Sequence, residues 1–276
     1  MKQSLVNPVC LSAIASSMLF ACPTMTQAAA DLMVYPTRVV MTDRQRTAQV
    51  DIVNTSQVQA TYKISMVRKR MTETGQFQDV STPEPDEKFA DEVVRYSPRQ
   101  VTLVPGAGQT IRIMFKASPN LAEGEYRSHL LFSKPPAAIS ELPAKEGREP
   151  NTISMNISTN IGISIPVIAR HGNLEAKAAI DPASVKLSEI GQKKQLVGFT
   201  LTRTGTRSVY GDVVVYRGKE KVAEGNGFAV YTPNSERKVG VPVPESSPLK
   251  PGDTIRIVFT ERDEKRPMAE TTVVIP

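Results

Sequence analysis

The sequence predicts an all-β protein built from two β-sandwich domains in tandem, and three observations lead to this prediction. The chain has 276 residues, which is too many for one small sandwich and suits two. Segments rich in β-branched and aromatic residues recur about every ten residues and are bounded by turn formers. No segment shows the apolar periodicity of about 3.6 residues that is typical of an amphipathic helix.

The first thirty residues differ from the rest of the chain and predict an export signal. A weakly basic start at Lys2 is followed by a mostly apolar stretch and then by three alanines that end at Ala30. This arrangement is typical of a signal peptide, residues 1–30, cleaved near Ala30. Two alternatives stay open. One is a transmembrane anchor, which the short and interrupted apolar stretch disfavours; the other is a lipoprotein signal that ends at Cys22.

Composition narrows the class of function. The only cysteines, Cys10 and Cys22, lie within the predicted signal, so the mature protein is expected to depend on core packing without a disulfide. His129 and His171 are the only histidines and are not spaced as metal ligands. No nucleophile elbow or phosphate-binding loop is present, so we expect no enzymatic activity, no metal and no cofactor. The net charge of +6 forms no long basic run, which argues against nucleic acid as a partner.

The first domain, residues 31–168, is expected to contain seven strands, the number typical of an immunoglobulin-like sandwich. A polar segment with two prolines, residues 81–91, is expected to be a loop. The predicted strands are residues 34–41, 48–54, 60–71, 96–103, 110–116, 126–133 and 153–168.

A second domain, residues 169–276, is predicted because the strand pattern breaks around residue 171 and then resumes. The turn at residues 249–253 resembles the turn at residues 103–106, and a short strand follows each turn, which indicates a weak internal repeat of two related sandwiches. The predicted strands are residues 185–187, 195–202, 211–217, 228–231, 237–242, 254–260 and 271–275.

The segment 151–167 is the most informative part of the chain, because apolar residues occupy every second position with Thr159 as the single exception. Strict period two places these side chains on one face of a strand, which would span roughly 50 Å at about 3.3 Å per residue. Either the strand bends from one sheet into another at Gly162, or its first half is a template for a partner. The apolar series is Ile153, Met155, Ile157, Ile161, Ile163, Ile165 and Val167.

The segment before this strand favours the partner interpretation. Residues 134–150 contain four prolines and no strand signal. Long irregular loops in compact domains are usually functional or disordered. A loop at this place would leave the first half of the long strand free to engage another molecule.

Four motifs of the first domain occur in the order and spacing of one known family. They are residues 35–40, Tyr-Pro-Thr-Arg-Val-Val; residues 50–54, Val-Asp-Ile-Val-Asn; residues 96–113; and residues 125–130, Glu-Tyr-Arg-Ser-His-Leu. They resemble, in turn, the first strand, the second strand, the central block and the archaic-branch penultimate strand of the PapD-like periplasmic chaperones of the chaperone–usher pilus pathway.

This resemblance implies two sandwiches in a boomerang arrangement, a periplasmic location, and pilus subunits and an outer-membrane usher as partners. In the family, the last strand of the first domain donates alternating side chains to an incomplete subunit. Here the donor residues would be Ile153, Met155 and Ile157, with Thr159 next in the series. Two basic residues of the interdomain cleft anchor the C-terminal carboxylate of the subunit, and Arg38 matches the first of them.

The chain departs from the family pattern at the second basic residue, because the usual lysine aligns with Gly162. Arg127 on the penultimate strand is expected to take its place, since a guanidinium is well suited to a carboxylate. A structural salt bridge is an equally good interpretation of Arg38. The cysteine pair of the long-loop branch is also missing, and both departures favour an archaic-type chaperone.

An exported pilus subunit or adhesin is the alternative to a chaperone. A subunit would carry an alternating donor segment at its mature N terminus and would lack its final strand. Residues 31–34 are too short for such a segment, and the first domain is predicted to have its full set of strands.

Overall fold

The computed structural model describes residues 31–135, 162–190, 194–262 and 266–276, which form two β-sandwiches. The one helix among these residues is a single 3-10 turn at Ala90–Glu92. In the ranges given above, no helix has the length and apolar character that a membrane span requires. The predicted signal peptide and the predicted donor residues Ile153, Met155, Ile157 and Thr159 lie outside the described residues.

The first sandwich packs a four-stranded sheet, in the order β1-β3-β9-β7, on a five-stranded sheet, in the order β2-β11-β10-β4-β8. Aliphatic and aromatic side chains from both sheets form one core between them. The strands are β1 (Leu32–Tyr35), β2 (Val39–Thr42), β3 (Thr47–Asn54), β4 (Ala60–Val67), β5 (Lys69–Met71), β6 (Phe77–Asp79), β7 (Val94–Ser97), β8 (Gln100–Leu103), β9 (Gly108–Phe115), β10 (Gly124–Ser133) and β11 (Gly162–His171).

Two segments that were predicted as single strands are each divided between the two sheets, so those predictions were wrong in detail. The segment 34–41 begins in β1, which pairs with β3, and ends in β2, which runs parallel to β11. The segment 96–103 begins in β7 and ends with β8, and these two strands also belong to opposite sheets. Pro36 and Pro98 stand at the two crossings, where a residue without an N–H ends a ladder of hydrogen bonds.

The predicted strand 60–71 also ends early, and its last residues form a small hairpin with a strand that was not predicted. β5 pairs with β6 in a separate two-stranded sheet. The turn between them includes Gly75, whose φ of +82° lies in the left-handed region that favours glycine. With only three residues, β6 is too short to carry a strand signal in the sequence.

β11 is the described half of the long alternating segment, and its inner face lies in the core of the first domain. Ile165 and Val167 are buried there, and Ile163 is partly buried. β10 pairs with β11 along its whole length, whereas β2 pairs only with residues 167–170. Residues 162–166 of β11 therefore have one neighbouring strand among the described residues and leave the other edge open.

The second sandwich packs a three-stranded sheet, β12-β13-β16, on a four-stranded sheet, β15-β14-β17-β18. Each predicted segment coincides with one of these strands, although the segments 228–231 and 271–275 end one residue beyond β15 and β18, and β12 begins nine residues before the predicted segment 185–187. Its ladder is irregular between Asp181 and Lys186, where Asp-Pro breaks the sequence pattern. The strands are β12 (Ala176–Ile190), β13 (Lys194–Gly205), β14 (Val209–Arg217), β15 (Glu220–Val230), β16 (Glu236–Val243), β17 (Thr254–Glu261) and β18 (Ala269–Val274).

A third and smaller apolar cluster joins the two sandwiches. Met71 of β5 and Ile168 of β11 pack against Ala229 and Tyr231 of the second sandwich. Ile168 lies on the face of β11 opposite to Val167, so this face of the sheet is directed toward the second domain. β11 continues to His171, and the division of the chain at residue 168 stays a prediction.

Candidate functional site

β10 directs alternate side chains into the core of its own domain and into the cleft between the sandwiches. Tyr126 and Leu130 lie in the core. Glu125, Arg127 and His129 lie on the opposite face, yet they are only 3%, 4% and 2% exposed. A face of a sheet that turns away from its own core is normally solvated, so this row of polar side chains is buried because the second domain and the β5–β6 hairpin cover it.

Arg127 is a buried cation to which no anion of the described residues is hydrogen-bonded. Neither Nε nor Nη1 has a hydrogen-bond partner among the described residues. Its Cζ lies 4.6 Å from the centroid of the Tyr231 ring and 5.9 Å from that of the Phe77 ring. Burial lowers the pKa of Arg127 below its ordinary value, and the nearby charge of Arg38 acts in the same direction.

Arg38 reaches the same place from the crossing between β1 and β2. Its Nε and Nη1 are also buried without a hydrogen-bond partner in the described part of the chain. Its Cζ lies 4.3 Å from the centroid of Tyr210 and 5.6 Å from that of Tyr231. Burial lowers the pKa of Arg38 as well. Arg38 lines a cleft of about 530 Å³ together with Tyr210, Arg170 and other residues of both sandwiches.

The structure thus brings together the two basic residues that the sequence analysis selected. Arg38 and Arg127 come from different strands and share the ring of Tyr231. Desolvating an unpaired cation costs several kcal/mol, and two neighbouring cations also repel each other. Of the two, Arg38 lines the cleft, whereas Arg127 is not one of its lining residues. Their Nε and Nη1 atoms have no partner among the described residues, and donors of this kind would suit a carboxylate, which accepts charge-assisted hydrogen bonds.

Glu125 does not neutralise either of these arginines through a hydrogen bond, because it is engaged at the domain interface. Its carboxylate accepts a hydrogen bond from Nε of Arg170 at 2.9 Å and from the backbone N–H of Ser208 at 3.1 Å. The Thr232 hydroxyl donates to the other oxygen at 3.5 Å. Glu125 is therefore a structural link between the domains, and its charge reaches Arg38 and Arg127 only at longer range.

His129 is neutral in this environment. Both of its ring nitrogens are buried without a hydrogen-bond partner among the described residues, and its ring meets Phe77 edge-on at 4.6 Å between centroids. Burial, with a smaller contribution from Arg127, lowers the pKa of His129 to about 3. A base needs a hydrogen-bonded route to a substrate, so this geometry does not suit His129 to proton transfer.

His171 stands at the end of β11 and serves a turn. Its Nδ1 lies 2.9 Å from Oδ1 of Asp43, and the backbone N–H of Gly172 donates to Oδ2 of the same carboxylate. The hydrogen bond from Gly172, followed by that from His171, lowers the pKa of Asp43. The described ranges contain no group of three or more histidine, cysteine or carboxylate side chains that is arranged to hold a metal ion.

Gly162, where the alignment placed the usual second basic residue, lies away from the cleft. It pairs with Ser133, whereas Val39 beside Arg38 pairs with Val167. The five positions between Gly162 and Val167 correspond to roughly 17 Å along the strand. A basic side chain at position 162 would therefore be remote from Arg38. The alignment with position 162 thus does not identify the second basic residue of the cleft.

Three aromatic residues of the site were not found from the sequence. Tyr210 and Tyr231 belong to the second domain, and Phe77 belongs to the short strand β6. Tyr231 is more than a hundred residues from Arg127 in the chain, and nothing in a local pattern links such distant positions. The one available signal is that the chain is poor in aromatic residues, at 5%, so each of them is informative.

Comparison with known proteins gives a likeness of fold. No family model and no curated protein shows a significant match to the chain. A solved chain of the CsuC–CsuE chaperone–tip subunit complex, from the archaic chaperone–usher Csu pili of Acinetobacter baumannii, is 13% identical with a TM-score of 0.46, over 90% of this chain and 100% of that one. The CupB2 chaperone of Pseudomonas aeruginosa is 13% identical with a TM-score of 0.43, over 88% and 100%.

The chaperone DraB of E. coli gives similar values, with 12% identity and a TM-score of 0.44 over 89% of this chain and 96% of that one.

Proposed function

We propose that this protein is a periplasmic chaperone for pilus subunits. It binds a subunit by donor-strand complementation, anchors the C-terminal carboxylate of the subunit at Arg38 and Arg127, and delivers it to an outer-membrane usher. The observation that carries the proposal is the pair of guanidinium groups around one tyrosine ring, whose buried Nε and Nη1 atoms have no hydrogen-bond partner among the described residues.

The anchor follows from the chemistry of the cleft. A C-terminal carboxylate offers two oxygens and about four acceptor sites, which match the parallel donors of a guanidinium. Hydrogen bonds to charged groups contribute about 1.5–3 kcal/mol each, and more where the donor is already desolvated without a partner. The unfavourable free energy of desolvating Arg38 and Arg127 is thus already present in the free protein. Binding of the subunit carboxylate therefore adds favourable interactions without that desolvation penalty.

The open edge of β11 supports the donor-strand part of the proposal. Residues 162–166 have β10 on one side and no described strand on the other. An open edge is normally protected in soluble proteins, and it suits a strand that pairs with another molecule. The donor residues Ile153, Met155, Ile157 and Thr159 precede this edge and continue its alternation in the sequence. Each buried isoleucine or methionine contributes about 1.5–3 kcal/mol.

The two parts of the proposal fit one register. Val167 pairs with Val39, next to Arg38, so the anchor lies near position 167 of the strand. Ile157 is ten positions upstream, which corresponds to roughly 33 Å of extended chain. A subunit strand of about ten residues, fixed at its C terminus by the arginines, would reach the donor side chains. The anchor would therefore set the register in which alternate side chains enter the subunit.

Co-expression with the pilin encoded beside this protein tests the proposal. The wild-type protein is expected to be recovered as a soluble pair with the pilin. Ile157→Asp is expected to abolish the pair, because a charge on the apolar face of the donor segment has no partner in the subunit core. The measurement is the amount of pilin that copurifies with the tagged chaperone.

Asn156→Asp is the matched control, because it adds the same charge at the neighbouring position, which the period-two pattern places on the other face. This variant is expected to keep the pair. Unchanged pairing by Ile157→Asp would exclude the donor assignment, and failure of the wild-type protein to pair with any neighbouring pilin would contradict the proposed function.

A further inference from the structure

Guanidinium groups and aromatic rings alternate across the boundary between the two sandwiches. The Cζ of Arg262 lies 4.8 Å from the centroid of Tyr210, and the Cζ of Arg38 lies 4.3 Å from the same ring. Tyr231 follows, with Arg38 at 5.6 Å and Arg127 at 4.6 Å. The anchor arginines of the first domain are therefore packed against rings that the second domain supplies.

Tyr231 occupies the central place in this series. It immediately follows β15, is 4% exposed, and contacts both arginines of the proposed anchor, whereas Tyr210 contacts only Arg38 of that pair. Phe77 of the first domain lies 6.1 Å from the Tyr231 ring, measured between centroids. The position of Tyr231 is thus fixed by packing from both domains.

The contact with Tyr231 stabilises the arginines without using their hydrogen-bond donors. A cation over an aromatic face is attracted by the quadrupole of the ring, and the attraction is stronger where water is excluded. The N–H donors of a guanidinium lie in its plane and stay free for a carboxylate. The unused Nε and Nη1 atoms of both arginines agree with this division of roles.

We propose that Tyr231 is a positioning residue of the carboxylate anchor, which makes the second domain part of the subunit-binding site. Its ring holds Arg38 and Arg127 at one place in the free chaperone, so that a carboxylate meets a preformed pair. Without the ring, two neighbouring cations would repel each other and separate, and ordering them again would oppose binding. This inference rests on the proposed function, because it assigns the ligand of the two arginines.

The experiment uses the full mature protein and two peptides with the sequence of the last strand of the pilin encoded beside it. One peptide ends in a free carboxylate and the other in an amide. The wild-type protein is expected to bind the free acid at least about tenfold more tightly than the amide, as a charged hydrogen bond would give. Tyr231→Leu is expected to reduce this ratio to near one, with the affinity for the amide unchanged.

Two further variants make the result specific. Tyr231→Phe keeps the aromatic face and is expected to keep the wild-type ratio. Tyr216→Leu is the matched control, because Tyr216 of β14 carries a comparable contact with Arg256, at 4.6 Å, away from the cleft. This control is expected to bind both peptides as the wild-type protein does.

The outcomes separate the inference from the proposed function. Equal binding of the acid and the amide by the wild-type protein would remove the anchor from the proposed function, whatever Tyr231 does. A wild-type ratio in Tyr231→Leu would overturn the inference while the function stands. Loss of both peptides by Tyr231→Leu would also overturn it, because it would show a general structural role.

Discussion

Arg127 and Arg203 are both buried, and their hydrogen bonding differs completely. Arg203 is 7% exposed and donates to three backbone carbonyls, those of Asn234, Gly205 and Arg207. Arg127 is equally buried, but its Nε and Nη1 have no partner in the described part of the chain. The first arrangement is that of an arginine that stabilises the fold, and the second leaves donors that the proposed carboxylate ligand could use.

Replacing Arg127 by methionine is therefore expected to stabilise the protein. The substitution removes an unpaired, desolvated charge, and the lost contact with Tyr231 offsets part of the gain. We expect the free energy of unfolding to rise by roughly 2 kcal/mol, while pairing with the pilin is lost. Urea unfolding measures the first effect and copurification measures the second.

Arg203→Met is the matched control for this prediction. It leaves three part-buried carbonyl groups without their donor and is expected to lower the free energy of unfolding by about 1–3 kcal/mol. The two substitutions are thus expected to change the free energy of unfolding in opposite directions, and this difference is the test. If Arg127→Met destabilised the protein as much as Arg203→Met does, Arg127 would be a structural residue and not an anchor.

Among the elements, the loop at residues 81–91 is held to the β5–β6 hairpin by ion pairs that its polar composition does not reveal. Arg70 of β5 donates from Nε and Nη2 to the two carboxylate oxygens of Glu87 at 2.6 and 2.8 Å. The same guanidinium reaches Glu84 at 2.8 Å. The side chain of Glu87 is only 4% exposed, so this loop is packed onto the hairpin that carries Phe77.

This contact predicts a dependence of stability on pH. The hydrogen bond from Arg70 lowers the pKa of Glu87 below its value of 4.5 in the unfolded chain. A lowered carboxyl pKa stabilises the fold above pH 4.5, and this contribution is lost as the pH falls toward the native pKa. Glu87→Gln is therefore expected to lower stability at neutral pH and to flatten the decline of stability on acidification. Thermal unfolding between pH 7 and about pH 3 measures both effects.

Lys69→Gln is the control for Glu87→Gln, because Lys69 also belongs to β5 and its partner Asp79 is exposed. Surface ion pairs contribute little, so this variant is expected to follow the wild-type curve. If the stability of Glu87→Gln fell as steeply on acidification as that of the wild-type protein, the loss of stability would come from other carboxyl groups.

The sequence predicted most strands, because alternation and turn residues are local signals. It did not predict that the segments at Pro36 and Pro98 cross between sheets, since both halves of each segment show the same strand propensity. It also missed most of β12, because Asp181 and Pro182 read as a turn while the structure accommodates them as an irregularity within one strand. What a strand pairs with is decided by tertiary packing, which propensity does not encode.

At the scale of the whole molecule, the two sandwiches are joined by contacts of several kinds. The hairpin turn meets β16 where the backbone N–H of Lys238 donates to the Glu73 carbonyl at 2.7 Å, and Asn234 donates to the Met71 carbonyl at 3.0 Å. Glu125 lies deeper and binds both Arg170 and Ser208. The interface thus combines an apolar cluster with buried polar links, which favours one arrangement of the domains.

The candidate site is also a property of the whole molecule, and this explains which parts of it the sequence predicted. Arg38 and Arg127 were selected through short motifs in the first domain. Tyr231 and Tyr210 were missed because they reach the site only when the second sandwich packs against the first. The contacts involved join residues that are distant in the sequence. A single sequence has no signal for such contacts, whereas burial and ring geometry make them visible.

Removal of the Glu125 carboxylate is expected to uncouple the two sandwiches. Its side chain is fully buried, and Glu125→Ala would leave the Ser208 N–H without its acceptor and Arg170 without its anion. Breaking a buried pair of this kind costs about 3–5 kcal/mol, and here the loss falls on the interface. Calorimetry is expected to show one cooperative transition for the wild-type protein and two separate transitions for the variant. Glu261→Ala is the control, because Glu261 lines the cleft but forms its ion pair with Arg207 of the same sandwich. That variant is expected to lower stability without dividing the transition, so a single transition in Glu125→Ala would show that the apolar cluster alone holds the domains together.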